Sequence, residues 1–145
     1  MNSVYRALAY LSSIVALAVS GCSGSTDPRA DVEVAPAASV FARSRQAGAV
    51  TYADVAYTVR NVGAVPVLLT SRCSDAVAPT VERREFGRWR HYGGRLCLAI
   101  YDMSPVALGP GETRQEVFPI QETGEYRLIV ETEYGPVVSP GFVVR

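Results

Sequence analysis

Gly124-Glu125-Tyr126-Arg127-Leu128-Ile129-Val130-Glu131 is the most regular segment of this 145-residue chain. Tyr126, Leu128 and Val130 fall on one side of an extended backbone and Arg127, Ile129 and Glu131 on the other. That is the period-two pattern of a half-buried strand, in residues of high β-propensity. The same alternation recurs in Tyr52–Arg60, where Val55, Tyr57 and Val59 share one face and Ala56, Thr58 and Arg60 the other. Further strands are predicted at Val40–Arg43, Pro66–Ser71, Thr80–Phe86, Leu96–Tyr101, Thr113–Ile120 and Val137–Arg145. Pro66 sits at a first position, where the missing N–H is tolerated, and Pro140-Gly141 inside the last segment points to an edge or a bulge. Asn61-Val62-Gly63 and Leu108-Gly109-Pro110-Gly111-Glu112 read as turns, and Gly87–Arg95 as a loop. The facing of Thr113–Ile120 is undecided. No helical period appears from Val40 onward, so the class is all-β.

Seven to eight strands in about 106 residues, with turns at regular intervals, fit an immunoglobulin-like β-sandwich better than a barrel. Gly124-Glu125-Tyr126 resembles the tyrosine corner of that fold, in which a Tyr hydroxyl returns to the backbone upstream. Leu128 stands where antibody domains place their second Cys, so their inter-sheet disulfide is absent. Asn61 with Pro66-Val67, Trp89 two residues after Gly87, the Leu108–Glu112 turn and Gly124-Glu125-Tyr126 together resemble the bacterial intracellular proteinase inhibitor (BsuPI-type) domains. Short immunoglobulin-like lipoproteins of the same layout are equally similar. The resemblance covers roughly residues 40–145 and rests on turns and core positions, so it implies the fold, and a protease-inhibitor-like regulator as one possible activity. Trp89 is expected to be largely buried.

The N-terminal end reads differently. Met1–Arg6 carries one positive charge, and Ala7–Val19 is an uncharged run within the about 7–15 residues of a signal-peptide core. Ser12, Ser13, Ser20 and Gly21 interrupt it, and it falls short of the about 20 apolar residues of a membrane span. Leu17-Ala18-Val19-Ser20-Gly21-Cys22 resembles the lipobox of bacterial lipoproteins. That resemblance implies that Cys22 becomes the first mature residue and carries acyl chains, palmitate among them, on its sulfur and amino group. Two or more chains hold a protein stably on a membrane, whereas one binds reversibly. Ser23, where lipoproteins kept at the inner membrane often carry Asp, favours the outer membrane in an organism that has one. Without one, the outer face of the cytoplasmic membrane is expected. Ser23–Ser39 is poor in aromatics and rich in small residues, Pro and charge, the composition of a flexible tether spanning about 20–25 Å. The organisation expected is therefore a signal peptide (1–21), a lipidated Cys with its tether (22–39) and the sandwich (40–145) in the cell envelope.

Fourteen basic and fourteen acidic residues balance, and every basic one is Arg. Cleavage before Cys22 removes Arg6 and leaves a net charge of about −1, which argues against a nucleic-acid partner. Cys73 and Cys97 are an even pair in an exported chain, the setting in which disulfides persist. Closing their loop of about 25 residues contributes about 3–3.5 kcal/mol in the chain-entropy estimate. A metal site or a catalytic thiol is the rival reading. Against both, His91 is the single histidine and no CxxC or HxxxH spacing occurs.

Between those cysteines lie Arg83, Arg84, Arg88, Trp89, Arg90, Tyr92 and Arg95, the chain's cationic and aromatic patch. It reads either as a binding surface for an anionic ligand or envelope protein, or as a solvated face paired with the acids of the C-terminal strands. No GxSxG, HExxH or Gly-rich phosphate loop is present, so neither catalysis nor a cofactor is expected. The sequence thus points to a lipid-anchored binding or structural module of the envelope, alone or as a subunit of a larger complex, with a protease-inhibitor-like regulator as the alternative.

Overall fold

The computed structural model of the chain describes residues 31–70, 72–73, 76–94 and 105–145. Fourteen strands lie among them: β1 (Val32–Pro36), β2 (Val40–Phe41), β3 (Arg45–Ala47), β4 (Val50–Asn61), β5 (Val67–Leu69), β6 (Arg72–Cys73), β7 (Ala76–Val77), β8 (Thr80–Glu85), β9 (Arg88–Gly94), β10 (Val106–Leu108), β11 (Thr113–Ile120), β12 (Gly124–Thr132), β13 (Gly135–Val138) and β14 (Phe142–Val144). The all-β sandwich is as expected. The strand number exceeds seven to eight because β1, β3, β6, β7, β9 and β10 form where no strand was expected and the expected Val137–Arg145 divides into β13 and β14.

One sheet is built on β4, the longest strand, with β1 on one side, β11 on the other and β3 folded back on its first residues. The second is built on β12. Its first half pairs with β8 on one side and β14 on the other, and its second half with β5 and β13. β9 extends this sheet from β8, β10 extends it from β5, and β2 lies parallel to β14. The start of the chain therefore divides between the sheets, β1 joining β4 and β2 joining β14.

Alternation decides what fills the space between the sheets. From β4 come Ala53, Val55, Tyr57 and Val59; from β12 come Tyr126, Leu128 and Val130; all are buried. β11 resolves the facing that its sequence left open, since Phe118 and Ile120 point inward and Val117 outward. Val34, Leu69, Val81, Leu108, Phe142 and Val144 complete the core.

Two expectations are corrected. Val32–Pro36, placed in the tether, forms β1, with Val34 buried and all five residues paired with β4 from Asn61 to Tyr57. Its own composition is too weak to fold alone, but the free edge of β4 supplies hydrogen bonds and Val34 reaches the core. The sandwich thus begins before residue 40, at Val32. The loop expected over Gly87–Arg95 is also mostly strand, because Arg88–Gly94 is β9 and forms a hairpin with β8. The leader, Cys22 and the strand expected at Leu96–Tyr101 lie outside the described residues.

Register also fixes the two poles of the sandwich. Val32 lies opposite Asn61 at one end of β4, together with the Gly109–Glu112 turn. Ile120 lies opposite Ala53 near the other end, where the β11–β12 turn and the tip of the β8–β9 hairpin are found. The separation along the strands is about 25–30 Å.

Candidate functional site

The β8–β9 hairpin gathers the cationic residues. Glu85 pairs with Arg88, so Phe86 and Gly87 alone form the connection, with φ of +50° and +78°. Positive φ at both central positions is the type I′ turn, whose twist suits a hairpin and which ordinarily takes Asn-Gly. Phe86 occupies the Asn position. A bulky side chain is strained there, and its ring is 99% exposed.

Behind the tip, the two faces of the hairpin do different work. On the outer face, Arg127 of β12 meets Glu82 at 2.6 Å and lies over the Trp89 ring, 4.6 Å from its centre. Arg84 donates to both carboxylate oxygens of Glu125 at 3.2 Å. Trp89 is only half-buried on this outer face, its ring reaching toward Gly141, and does not fill the core. The reason is register: Trp89 pairs with Arg84, whose side chain points away from the interior. On the inner side, Arg83 pairs with Glu122 and holds its guanidinium 6.0 Å from the Tyr126 ring centre. Tyr92, the extra residue at the bulge beside Val81 and Glu82, meets Tyr126 edge-on at 5.1 Å.

Tyr126 is the hinge of this arrangement. Its hydroxyl donates to the Glu122 carbonyl at 2.9 Å, four residues upstream, which is the tyrosine-corner bond. Burial, reinforced by the neighbouring Tyr92 phenol, pushes its ionisation well above that of a free tyrosine. Gly124 makes the approach possible. A Cβ there would lie 2.9 Å from Arg83 Nε and 3.3 Å from the Tyr126 ring, at φ +155°. Gly124→Ala is expected to cost about 1–2 kcal/mol, read as a lower urea midpoint at unchanged m-value.

The patch expected from sequence therefore separates. Arg83 and Arg84 are committed to ion pairs with acids of the C-terminal half, Tyr92 packs on the core and Trp89 lies under Arg127. Arg88 and Arg90 are exposed and make no ion pair among the described residues. Arg95, Cys97, Cys22 and the side chain of Cys73 lie outside the described residues. Phe86 was not foreseen as a site residue. The signal available was its place before Gly87, between two segments able to alternate.

Elsewhere an open depression of about 390 Å³ lies on the outer side of β4 and β11, lined by Ala37, Ala56, Thr58, Gln115, Glu116 and Val117 among others. Its one carboxylate, Glu116, already accepts the Val77 N–H at 3.1 Å. Among the described residues no group of three or more His, Cys, Asp and Glu is placed to hold a metal ion.

The architecture and its surface thus define a β-sandwich with a charged hairpin at one pole. No family model matches the chain, and no curated protein is significantly similar to it. Among solved structures, the CARDB domain of the PF1109 protein from Pyrococcus furiosus, in complex with di-metal ions, is 19% identical at TM-score 0.40, covering 82% of this chain and 96% of that one. The Pseudomonas fluorescens alkylpurine DNA glycosylase bound to DNA with an abasic-site analogue is 11% identical at TM-score 0.39, over 81% of this chain. A Listeria innocua β-glucosidase in complex with glucose is 13% identical at TM-score 0.40, over 79% of this chain. The match spans 31% of the glycosylase and 16% of the glucosidase. None is near enough in backbone or sequence to transfer an activity.

Proposed function

We propose that this chain is a lipid-anchored, extracytoplasmic immunoglobulin-like module that acts by binding or structural support in the cell envelope. The observation that supports this most is polarity. The chain enters the sandwich at Asp31–Val32, and the exposed Phe86 tip, with Arg88 and Arg90 beside it, lies at the opposite pole. A domain tethered through Cys22 by about nine residues would hold that tip outward, about 25–30 Å beyond its point of attachment.

The test is fractionation of cells expressing the full chain and its Cys22→Ser variant, with labelling by a clickable palmitate analogue. Wild type is expected in the membrane fraction with label, and the variant without label and released from the membrane. Unlabelled wild type, or a variant that stays in the membrane fraction, would defeat the anchor.

A second reading is favoured by the same exposed tip, which a rigid hairpin could present to an enzyme cleft. That protease-inhibitor-like role is tested by titrating the purified protein against a panel of extracytoplasmic proteases. Absence of inhibition at micromolar concentration removes it.

A further inference from the structure

Two choices in the β8–β9 hairpin work against its own stability. Phe86 holds a left-handed backbone that Asn or Gly would adopt without strain, and it is 99% exposed. Arg90 stands directly opposite Arg83 in the ladder, a like-charge pair that disfavours the hairpin. Arg83 has Glu122 to offset this; Arg90 and Arg88 have no ion-pair partner among the described residues.

The neighbouring residues hold the knob still. Arg84 is pinned by Glu125, Arg127 is pinned by Glu82, and Trp89 lies under Arg127. The result is an exposed aromatic ring on a braced hairpin, with two guanidinium groups at its base that make no ion pair among the described residues.

We propose that this tip is a docking knob for an acidic protein: Phe86 enters an apolar socket on the partner, and Arg88 and Arg90 pair with carboxylates at the socket rim. The inference rests on the reading of the chain as a binding module. A central aromatic ringed by Arg is the composition of an interface hot spot, where a desolvated anchor carries most of the affinity and rim charges set orientation. Carboxylates suit the exposed Arg88 and Arg90 guanidinium groups, which make no ion pair among the described residues. A bilayer is the poorer fit, because one Phe side chain supplies only about 1.5–3 kcal/mol of burial and the tip lies at the pole away from residue 31.

The experiment uses the full chain in its own cells, with the photo-crosslinker p-benzoylphenylalanine placed at position 86 and, for comparison, at Tyr134, which is 64% exposed at the opposite pole. One protein adduct is expected at 86 and absent at 134, its cross-linked segment rich in Asp and Glu around apolar residues. Adding Arg88→Glu and Arg90→Glu should lower its yield on the order of 30-fold. Purified Phe86→Asn should melt about 3–6 °C higher than wild type, yet lose recovery of the same partner in cells.

Equal labelling at both positions, no adduct, a lipid adduct, an adduct with a second copy of this chain, or a yield indifferent to the two charge reversals each overturns the proposal. So does a lowered melting temperature in Phe86→Asn. The cross-link is repeated in the Cys22→Ser background. An adduct that persists while the protein leaves the membrane separates the knob from the anchor, and a protein that stays anchored without an adduct sinks the knob alone.

Discussion

Asn61→Ala is expected to destabilise the domain by about 3–5 kcal/mol, a large part of the roughly 5–15 kcal/mol that holds a domain folded. Asn61 is fully buried at the end of β4, and its three side-chain bonds tie the turn that follows it to the end of β10, 47 positions away. Its Nδ2 donates to the Val65 carbonyl at 2.7 Å and to the Leu108 carbonyl at 2.8 Å, and its Oδ1 accepts the Gly63 N–H at 2.9 Å. The backbone adds an N–H bond to Glu112 and accepts one from Gly111. Truncation leaves three backbone groups of two segments without their partner, the Leu108 carbonyl in a buried site, and each orphaned group costs about 1–3 kcal/mol. Asn61→Asp separates this from volume, since the carboxylate keeps the acceptor and faces two carbonyl oxygens with no donor. At neutral pH it should be at least as damaging as Ala and should recover on acidification, where a protonated carboxyl donates again. Equilibrium urea unfolding of the three proteins between pH 5 and 8 checks both statements; an Asp variant as stable as wild type would refute them.

Tyr126 carries the second large effect. Its ring is buried, stacked on Phe142 at 6.0 Å and met edge-on by Tyr92. Tyr126→Ala removes that packing and should cost about 3–5 kcal/mol, whereas Tyr126→Phe keeps the ring and loses only the bond to Glu122, about 1–2 kcal/mol. The two substitutions divide the corner into its packing and its hydrogen bond. Alkali provides an independent reading. Because the folded phenol ionises well above its unfolded value of about 10, its contribution is fully present below pH 10 and is lost as pH rises past it, when only the unfolded state releases the proton. Wild type should lose stability between pH 10 and 11.5 more steeply than Tyr126→Phe, seen as converging urea midpoints. Parallel curves would show that the phenol does not set the alkaline limit.

Where one face of a strand is apolar and the other polar, the sequence was sufficient. β4 and β12 follow this rule, and so do the Leu108–Glu112 turn and the hydroxyl of Tyr126, whose partner lies only four residues away. β1 escaped because its pattern is Val32, Val34 and little else; the edge of β4 completes it. β9 escaped for a different reason. Its outer face is a ladder of ions and indole, so Arg88–Tyr92 offers no apolar contrast to count, and Trp89 went to the outer face by register with Arg84. Asn61 looked like a turn residue, and its Gly63 bond is of that kind. Its reach to Leu108 spans 47 positions and has no local sign. Phe86 is recognisable only once the turn type is known, since an aromatic residue before Gly is common in strands that simply end.

The division of the chain's first residues between two sheets has a mechanical consequence. Tension applied between Asp31 and the Phe86 pole runs along the strand axes. It loads all five residue pairs of β1 with β4 in shear, so that they must yield together instead of opening one after another. Behind them, the parallel contact of β2 with β14 is closed by Val143 to Ser39, Arg145 to Phe41 and Arg43 to Arg145, and forms a second latch in series. A weight hung on the hairpin would therefore meet two clasps before the core is reached.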